Sequence, residues 1–136
     1  MPVIELDMLI ALVNRSDRLH GVATRLFQSI ASGGLKEVRL ASSALLEYEL
    51  VLRSRGYDEG EIGKDIEAFR LIPNLGEVPL TSEVLVKASE LRETYSLTYF
   101  DSLHCATAIL SDGQIISSDN AYEAVPEVRR VDPLSL

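Results

Sequence analysis

The sequence has 136 residues, of which 46% are hydrophobic and 25% charged; this composition is typical of one globular domain over residues 1–136 and excludes a disordered chain. No apolar run approaches the roughly 20 residues that cross a bilayer, and the N-terminus has no secretory signal pattern, so we expect a cytoplasmic protein without membrane association. The formal net charge of −8 excludes nonspecific nucleic-acid binding through a broad basic face.

Short apolar runs alternate with segments of helical periodicity along the chain. In chain order, strands are predicted at residues 3–6, 38–41, 78–80, 114–117 and 128–131. Helices are predicted over residues 8–13, 19–30, about 43–55, about 59–72, about 82–95 and about 99–110. Ser42 and Ser43 are suitable N-caps for the third helix, and Asp58 with Glu61 resembles a capping box for the fourth.

This alternation predicts an α/β fold, with a central, mostly parallel sheet of four to five short strands and helices on both faces. In such sheets the ligand site lies beyond the carboxyl ends of the strands. Asp7 and Asp119 come at or just after predicted strand ends. We therefore expect these two side chains to share a cleft.

Four carboxylates lie in apolar segments at comparable places: Asp7, Glu47, Asp101 and Asp119. Acids in such surroundings must be paired, protonated or bound to a cation. Clustered carboxylates bind Mg²⁺ or Mn²⁺, and these ions assist the hydrolysis of phosphate esters. Each Asp also has a structural interpretation, because helix caps, first helical turns and loops favour this residue.

Two choices remain open at this level. Glu47 and Glu49 compete for one position, since residues two apart point to different sides of a helix. His104 lies one turn beyond Asp101 and is either a metal ligand or a packed, hydrogen-bonded histidine; the second is favoured because no second histidine motif accompanies it.

Several enzyme classes are excluded. The sequence has no glycine-rich phosphate loop and no Gly-x-Ser-x-Gly elbow. Its single cysteine, Cys105, cannot form an internal disulfide and is expected to be a small buried side chain. Phosphate binding on this acidic chain would depend on local arginines, and the candidate pairs are Arg15 and Arg18, Arg53 and Arg55, and Arg129 and Arg130.

Around these acids the sequence resembles the PIN-domain family, which includes the VapC toxins of VapBC toxin–antitoxin pairs. The segments of resemblance are Leu-Thr-Tyr-Phe-Asp-Ser-Leu-His-Cys-Ala-Thr-Ala around Asp101, Ile-Ile-Ser-Ser-Asp ending at Asp119, Leu-Asp followed by Met-Leu-Ile-Ala-Leu at Asp7, and Leu-Glu at Glu47. Their order and spacing agree with the family over nearly the whole chain. The register favours Glu47 over Glu49.

The resemblance implies a PIN-like three-layer α/β/α fold and a ribonuclease that cleaves single-stranded RNA with Mg²⁺ or Mn²⁺. It implies Asp7, Glu47, Asp101 and Asp119 as catalytic, metal-binding residues, with Ser117 as a supporting hydroxyl. An antitoxin protein and a second copy of the chain are the implied partners.

Two positions depart from the family pattern, which usually has Thr or Ser and often Asn after the first Asp. Here Met8 and Leu9 follow Asp7, so neither neighbour offers it a hydroxyl or an amide. Together with the acidic net charge, this motivates an alternative function: a catalytically degenerate PIN-like module that binds a protein or RNA.

Overall fold

The computed structural model describes residues 2–136. Its strands are β1 (Val3–Ile4), β2 (Arg39–Ala41), β3 (Gly76–Val78), β4 (Gln114–Ile116) and β5 (Arg129–Val131). They form one sheet in the order β3-β2-β1-β4-β5, and every neighbouring pair is parallel. The predicted α/β class and the parallel sheet are confirmed.

Within residues 2–136, six α-helices connect and cover the strands. They are α1 (Leu6–Val13), α2 (His20–Ala31), α3 (Ser42–Ser54), α4 (Glu59–Arg70), α5 (Ser82–Thr94) and α6 (Tyr99–Ser111). Two short 3₁₀ segments follow, Asn120–Ala124 and Pro133–Ser135. Over residues 2–136, no helix has both the length and the apolar character needed to span a membrane.

The core is organised around the central strands and α6. Val3, Ile4, Ile115 and Ile116 are completely buried, as expected for parallel strands covered on both faces. Helix α6 buries seven consecutive residues, 102–108, because it packs against both α3 and α5. Polar groups on α6 therefore have fixed surroundings, and the predicted burial of Cys105 is confirmed.

Two predicted strands differ from the observed bounds by two residues, whereas the other three differ by only one. The first strand ends at Ile4, because the Glu5 side chain accepts the N–H of Asp7 and caps α1 at once. The prediction that the strand reaches residue 6 and turns at Asp7 was wrong, since Asp7 is in the first turn of α1. The third strand covers Gly76–Val78 rather than residues 78–80, because Pro79 has no N–H to donate to a neighbouring strand.

The capping predictions had mixed outcomes. Asp58 caps α4 by accepting the N–H of Glu61, as predicted. Ser42 and Ser43 are not caps; both are inside α3, whose N-cap is Ala41. Their hydroxyls bond to other elements instead, and that of Ser43 contacts the His104 ring.

Candidate active site

The candidate site lies at the carboxyl ends of β1 and β4. These strands are neighbours, with Ile4 opposite Ile116, yet the chain leaves β1 in the other direction, toward β2. This reversal of strand order is a topological switch point, where parallel α/β sheets bind their ligands. Residues 5–7 and 117–119 follow the two strands and so meet at one crevice.

All four predicted acids line one cavity of about 530 Å³ at this crevice. Asp7 comes from α1, Glu47 from α3 and Asp101 from α6, while Asp119 follows β4. Glu49 is directed elsewhere and pairs with Arg53 on α3 at 2.7 Å. The structure therefore brings the four predicted side chains together and distinguishes Glu47 from Glu49.

Asp7 is held by the loop after β4. Its Oδ2 atom accepts the backbone N–H of Ser118 at 2.7 Å and the Ser118 hydroxyl at 2.6 Å, while the predicted supporting residue, Ser117, is 3.5 Å away. Ser118 thus supplies the hydroxyl that Met8 and Leu9 cannot. The second oxygen, Oδ1, is buried and has no hydrogen-bond partner among residues 2–136, an unfavourable state that a cation would relieve.

Sequence reasoning missed a fifth acid, Glu5, and its partner Tyr122. Glu5 is 4% exposed and lines the cavity. The Tyr122 hydroxyl is 2.8 Å from Glu5 Oε2 and 3.3 Å from Asp101 Oδ1. Burial raises the pKa of Glu5 well above its usual range, and a hydrogen bond with Asp7 and repulsion from the Asp7 carboxylate add to this effect. The signal in the sequence was an acid directly after the apolar pair Val3–Ile4.

Asp101 is in the first turn of α6, where Thr98 caps the helix by accepting the Asp101 N–H. Burial raises the pKa of Asp101 above its ordinary value, and repulsion from Asp119 adds to this effect. An acid that resists ionisation in the free protein gains most from a bound cation.

Glu47 is held by a buried histidine. Its Oε1 atom is 2.7 Å from His104 Nε2, and His104 Nδ1 is 2.7 Å from Ser43 Oγ. The imidazole is completely buried. The favoured interpretation of His104 as a hydrogen-bonded histidine is confirmed, and its contact with Glu47 gives it a place beside the site.

Asp119 combines a structural contact with its place in the cavity. Its Oδ1 atom accepts the Ala121 N–H and caps the first 3₁₀ segment. Its own N–H donates to Ser117 Oγ at 2.9 Å, so Ser117 fixes the backbone of the fourth acid rather than contacting Asp7 closely.

The charge of the cavity is strongly negative. Two further acids line it besides the four predicted ones, Glu5 and Asp17, whereas Arg18 is the one cationic side chain at its wall in the described part of the chain. Carboxylates that face one another at this density repel, and they require protons or cations for neutralisation.

The donor set fits a hydrated Mg²⁺ or Mn²⁺ ion. Carboxylate oxygens are the preferred ligands of these ions, and the unpartnered Asp7 Oδ1 is such an atom. Among residues 2–136, no three His, Cys, Asp or Glu side chains form a complete preassembled site. Mg²⁺ keeps several waters and often binds through only one or two carboxylates, so this arrangement suits it.

The fold and the site place this chain among α/β proteins whose parallel sheet has an acid-lined crevice at its switch point. The chain belongs to the PIN domain family, whose sequence model matches residues 7–128. No curated protein sequence matches it significantly.

Solved structures with the same fold have low sequence identity to this chain. Mycobacterium tuberculosis VapC20, a sarcin–ricin loop cleaving toxin, has a TM-score of 0.73 at 21% identity over 95% of this chain and 99% of its own. VapBC2 from Rickettsia felis, bound to a DNA fragment from its promoter, has a TM-score of 0.72 at 12% identity over 95% of this chain and 96% of its own. FitAcB from Neisseria gonorrhoeae has a TM-score of 0.70 at 13% identity over the full length of both chains.

Proposed function

We propose that the protein is a metal-dependent endoribonuclease that cleaves single-stranded RNA with Mg²⁺ or Mn²⁺. The observation that carries this proposal is the meeting of four acids from four separate segments in one cavity, with a single arginine at its wall among the described residues. Such a cavity has the charge to concentrate divalent cations and little means of holding a phosphate without them.

In this proposal Asp7 and Asp101 ligate the metal directly. Glu47 and Asp119 complete the site directly or through water. A bound divalent ion supplies an acidified water and neutralises charge on the phosphate. The protein's own contribution is to hold the carboxylates in place, through Ser118 on Asp7 and His104 on Glu47.

The contacts of Asp7 favour an active enzyme over the degenerate binding module. Met8 and Leu9 are completely buried and belong to the core, so their apolar character serves packing. The hydrogen bonds that a hydroxyl neighbour would offer come from Ser118 instead. The departure from the family pattern therefore does not leave Asp7 unsupported.

We further propose that this nuclease is the toxin of a toxin–antitoxin pair and acts in the cytoplasm as a homodimer. Support comes from the structural neighbours, which include VapC20 and the VapBC2 complex. An antitoxin segment would lie across the acid-lined cavity and offer an arginine to its carboxylates. Expression without an antitoxin should arrest bacterial growth, and light scattering of the purified protein tests the dimer.

The direct test is cleavage of a labelled single-stranded RNA by the purified protein with Mn²⁺ or Mg²⁺, beside EDTA. An Asp7→Asn/Asp101→Asn double variant should lose cleavage. Asp58→Asn is the matched control, since Asn also caps helices well and Asp58 is the exposed N-cap of α4. Glu47→Gln should lose activity, and Glu49→Gln should retain it.

Each outcome decides between the two functions. Metal-dependent cleavage that the double variant loses supports the nuclease and its ligands. Cleavage retained by that variant and still inhibited by EDTA would mean that other residues hold the metal. A folded protein that neither cuts RNA nor binds millimolar Mn²⁺ would instead be the non-catalytic module.

A further inference from the structure

A second cavity, of about 410 Å³, lies next to the acid-lined one. Ile10 of α1 lines both. The walls of the second cavity are the end of α1 with the turn that follows it and the end of α3 with the turn that follows that helix. An extended ligand in the acid-lined cavity would therefore meet this second space next.

Two arginines without an ionic partner line the second cavity. Arg15 and Arg55 are exposed, and no carboxylate of residues 2–136 lies within 4.0 Å of either guanidinium. The neighbouring Arg53 is different, since it pairs with both Glu49 and Glu59. On a chain of net charge −8, two free guanidinium groups at one cavity are available to an anion.

The same cavity has an aromatic wall. Tyr57 is 49% exposed, while Tyr48, which also lines this cavity, is fixed by an edge contact with Phe69 and a 2.6 Å hydrogen bond to Asp65. A free tyrosine ring beside guanidinium groups is the combination on which single-stranded nucleic acids bind, with the phosphate on arginine and the base stacked on the ring.

The backbone that carries these groups is preformed. After α3, Gly56 has a φ of +83°, and the Tyr57 N–H donates to the carbonyl of Leu52, so the turn is fixed. After α1, Asn14 Oδ1 accepts the Ser16 N–H and fixes the turn that presents Arg15. A ligand would thus bind without first ordering either turn.

We propose that the second cavity binds one nucleotide of single-stranded RNA, adjacent to the phosphate at the carboxylates, with Arg15 and Arg55 on its phosphate and Tyr57 against its base. This subsite rests on the proposed ribonuclease function. It explains how a nuclease of net charge −8 can bind a negatively charged RNA strand, because strand binding and metal binding occupy neighbouring cavities of opposite charge.

The test is fluorescence anisotropy of a labelled single-stranded RNA in EDTA, where no metal-dependent cleavage occurs. Arg15→Ala/Arg55→Ala should weaken binding about tenfold and reduce the slope of log K against log salt concentration by about 0.7, since each neutralised phosphate on a single strand contributes about 0.7 and both arginines share one phosphate. Tyr57→Ala should also weaken binding, and Tyr57→Phe should restore it, because stacking needs only the ring.

Arg53→Ala/Arg70→Ala is the matched control. It changes the net charge equally, but both side chains are exposed and paired with glutamates, Arg70 with Glu67. Equal weakening in the control would overturn the subsite in favour of diffuse attraction. RNA binding that the Arg15→Ala/Arg55→Ala variant retains, while binding of a labelled polyglutamate peptide falls, would assign the cavity to an acidic protein segment instead.

Failure of the subsite and failure of the nuclease give different results. If the wild-type protein binds RNA through these residues but does not cut it with Mn²⁺, the subsite stands and the nuclease proposal fails. If it cuts RNA and the variants bind as tightly as the wild type, the nuclease stands and the subsite fails.

Discussion

The buried ring of His104 on α6 contacts Glu47, the α3 residue that lines the acid-lined cavity, with 2.7 Å between His104 Nε2 and Glu47 Oε1. Its other nitrogen is 2.7 Å from the hydroxyl of Ser43, which lies one helical turn before Glu47. One imidazole therefore bonds two side chains of the same helix face. Because α6 cannot shift without disturbing the core, His104 fixes the direction of the Glu47 carboxylate.

Replacement of His104 should impair the site through Glu47. We expect His104→Ala to reduce Mn²⁺ affinity or RNA cleavage about 10- to 100-fold, the usual effect of losing a residue that orients a metal ligand. His104→Gln should restore part of the loss, since its amide can still donate to the carboxylate. Titration of Mn²⁺ and cleavage rates of the three proteins measure this effect.

His20→Ala is the control for that experiment. His20 is partly exposed on α2, its Nδ1 contacts the Ala11 carbonyl at 2.8 Å, and it is not among the residues that line the acid-lined cavity. Thermal unfolding of each variant separates general destabilisation from a local effect. The positioning role would be contradicted if His20→Ala and His104→Ala lost Mn²⁺ affinity or RNA cleavage equally. It would also be contradicted if His104→Gln were no better than His104→Ala.

Loss of the Ser118 hydroxyl should weaken metal binding by Asp7. In Ser118→Ala the backbone N–H remains, while the 2.6 Å hydrogen bond to Oδ2 disappears. We expect about a tenfold loss of Mn²⁺ affinity, equivalent to roughly 1.4 kcal/mol, close to the lower end for hydrogen bonds to charged groups. Isothermal titration with Mn²⁺ measures this directly.

The Ser54→Ala variant is suitable for comparison with Ser118→Ala, because the Ser54 hydroxyl is exposed and bonds to the Val51 carbonyl of its own helix. A Ser118→Ala protein that binds Mn²⁺ as tightly as the Ser54→Ala protein would show that the backbone N–H alone orients Asp7.

The sequence was sufficient for the fold class and for four acids of the cavity, because both depend on local patterns. Apolar runs that alternate with helical periodicity predict a parallel sheet, and the switch point then brings residues 7 and 119 together. Element bounds were less accurate where a single side chain decides them. The early end of β1 depends on Glu5 capping α1, and an acid after a strand does not reveal which N–H it will accept.

The missed side-chain contacts of the site join residues that are distant in sequence. Tyr122 meets Glu5 across 117 positions, and Ser118 meets Asp7 across 111. Neither pairing has a local pattern. The bond between His104 and Glu47 likewise requires α3 and α6 to pack together, which the spacing of either segment does not specify.

Asp101 should make the metal-free protein less stable as the pH rises. Burial holds its pKa above the unfolded value, so its ionisation disfavours the fold, and the cost is absent below the ordinary Asp pKa. We expect Asp101→Asn to unfold at a higher temperature than the wild type in EDTA at about pH 7. The difference in unfolding temperature between the two proteins should narrow as the pH falls toward the ordinary pKa of an Asp side chain.

Thermal unfolding across this pH range tests the sign of the effect. Asp58→Asn serves as the reference, since this exposed cap lies outside the cavity. A variant at Asp101 that is less stable than the wild type near neutral pH would mean that its carboxylate stabilises the metal-free fold.

Cys105 should be inert to thiol reagents while the protein is folded. Its side chain is completely buried in α6, and burial, with smaller contributions from Glu127 and Asp101, raises its pKa to about 12. At about pH 8 only roughly one thiol in ten thousand would be ionised, and the thiolate is the reactive form. Labelling by a disulfide reagent should therefore be slow in buffer and complete in denaturing guanidinium.

The labelling rate should then report opening of the core around α6. Because His104 is the neighbour of Cys105 in sequence and is equally buried, His104→Ala should accelerate labelling in proportion to the increased population of the opened state. Cys105→Ala gives the background signal. Rapid stoichiometric labelling of the folded wild-type protein would contradict the burial of this helix, and with it the rigid support for Asp101 and His104.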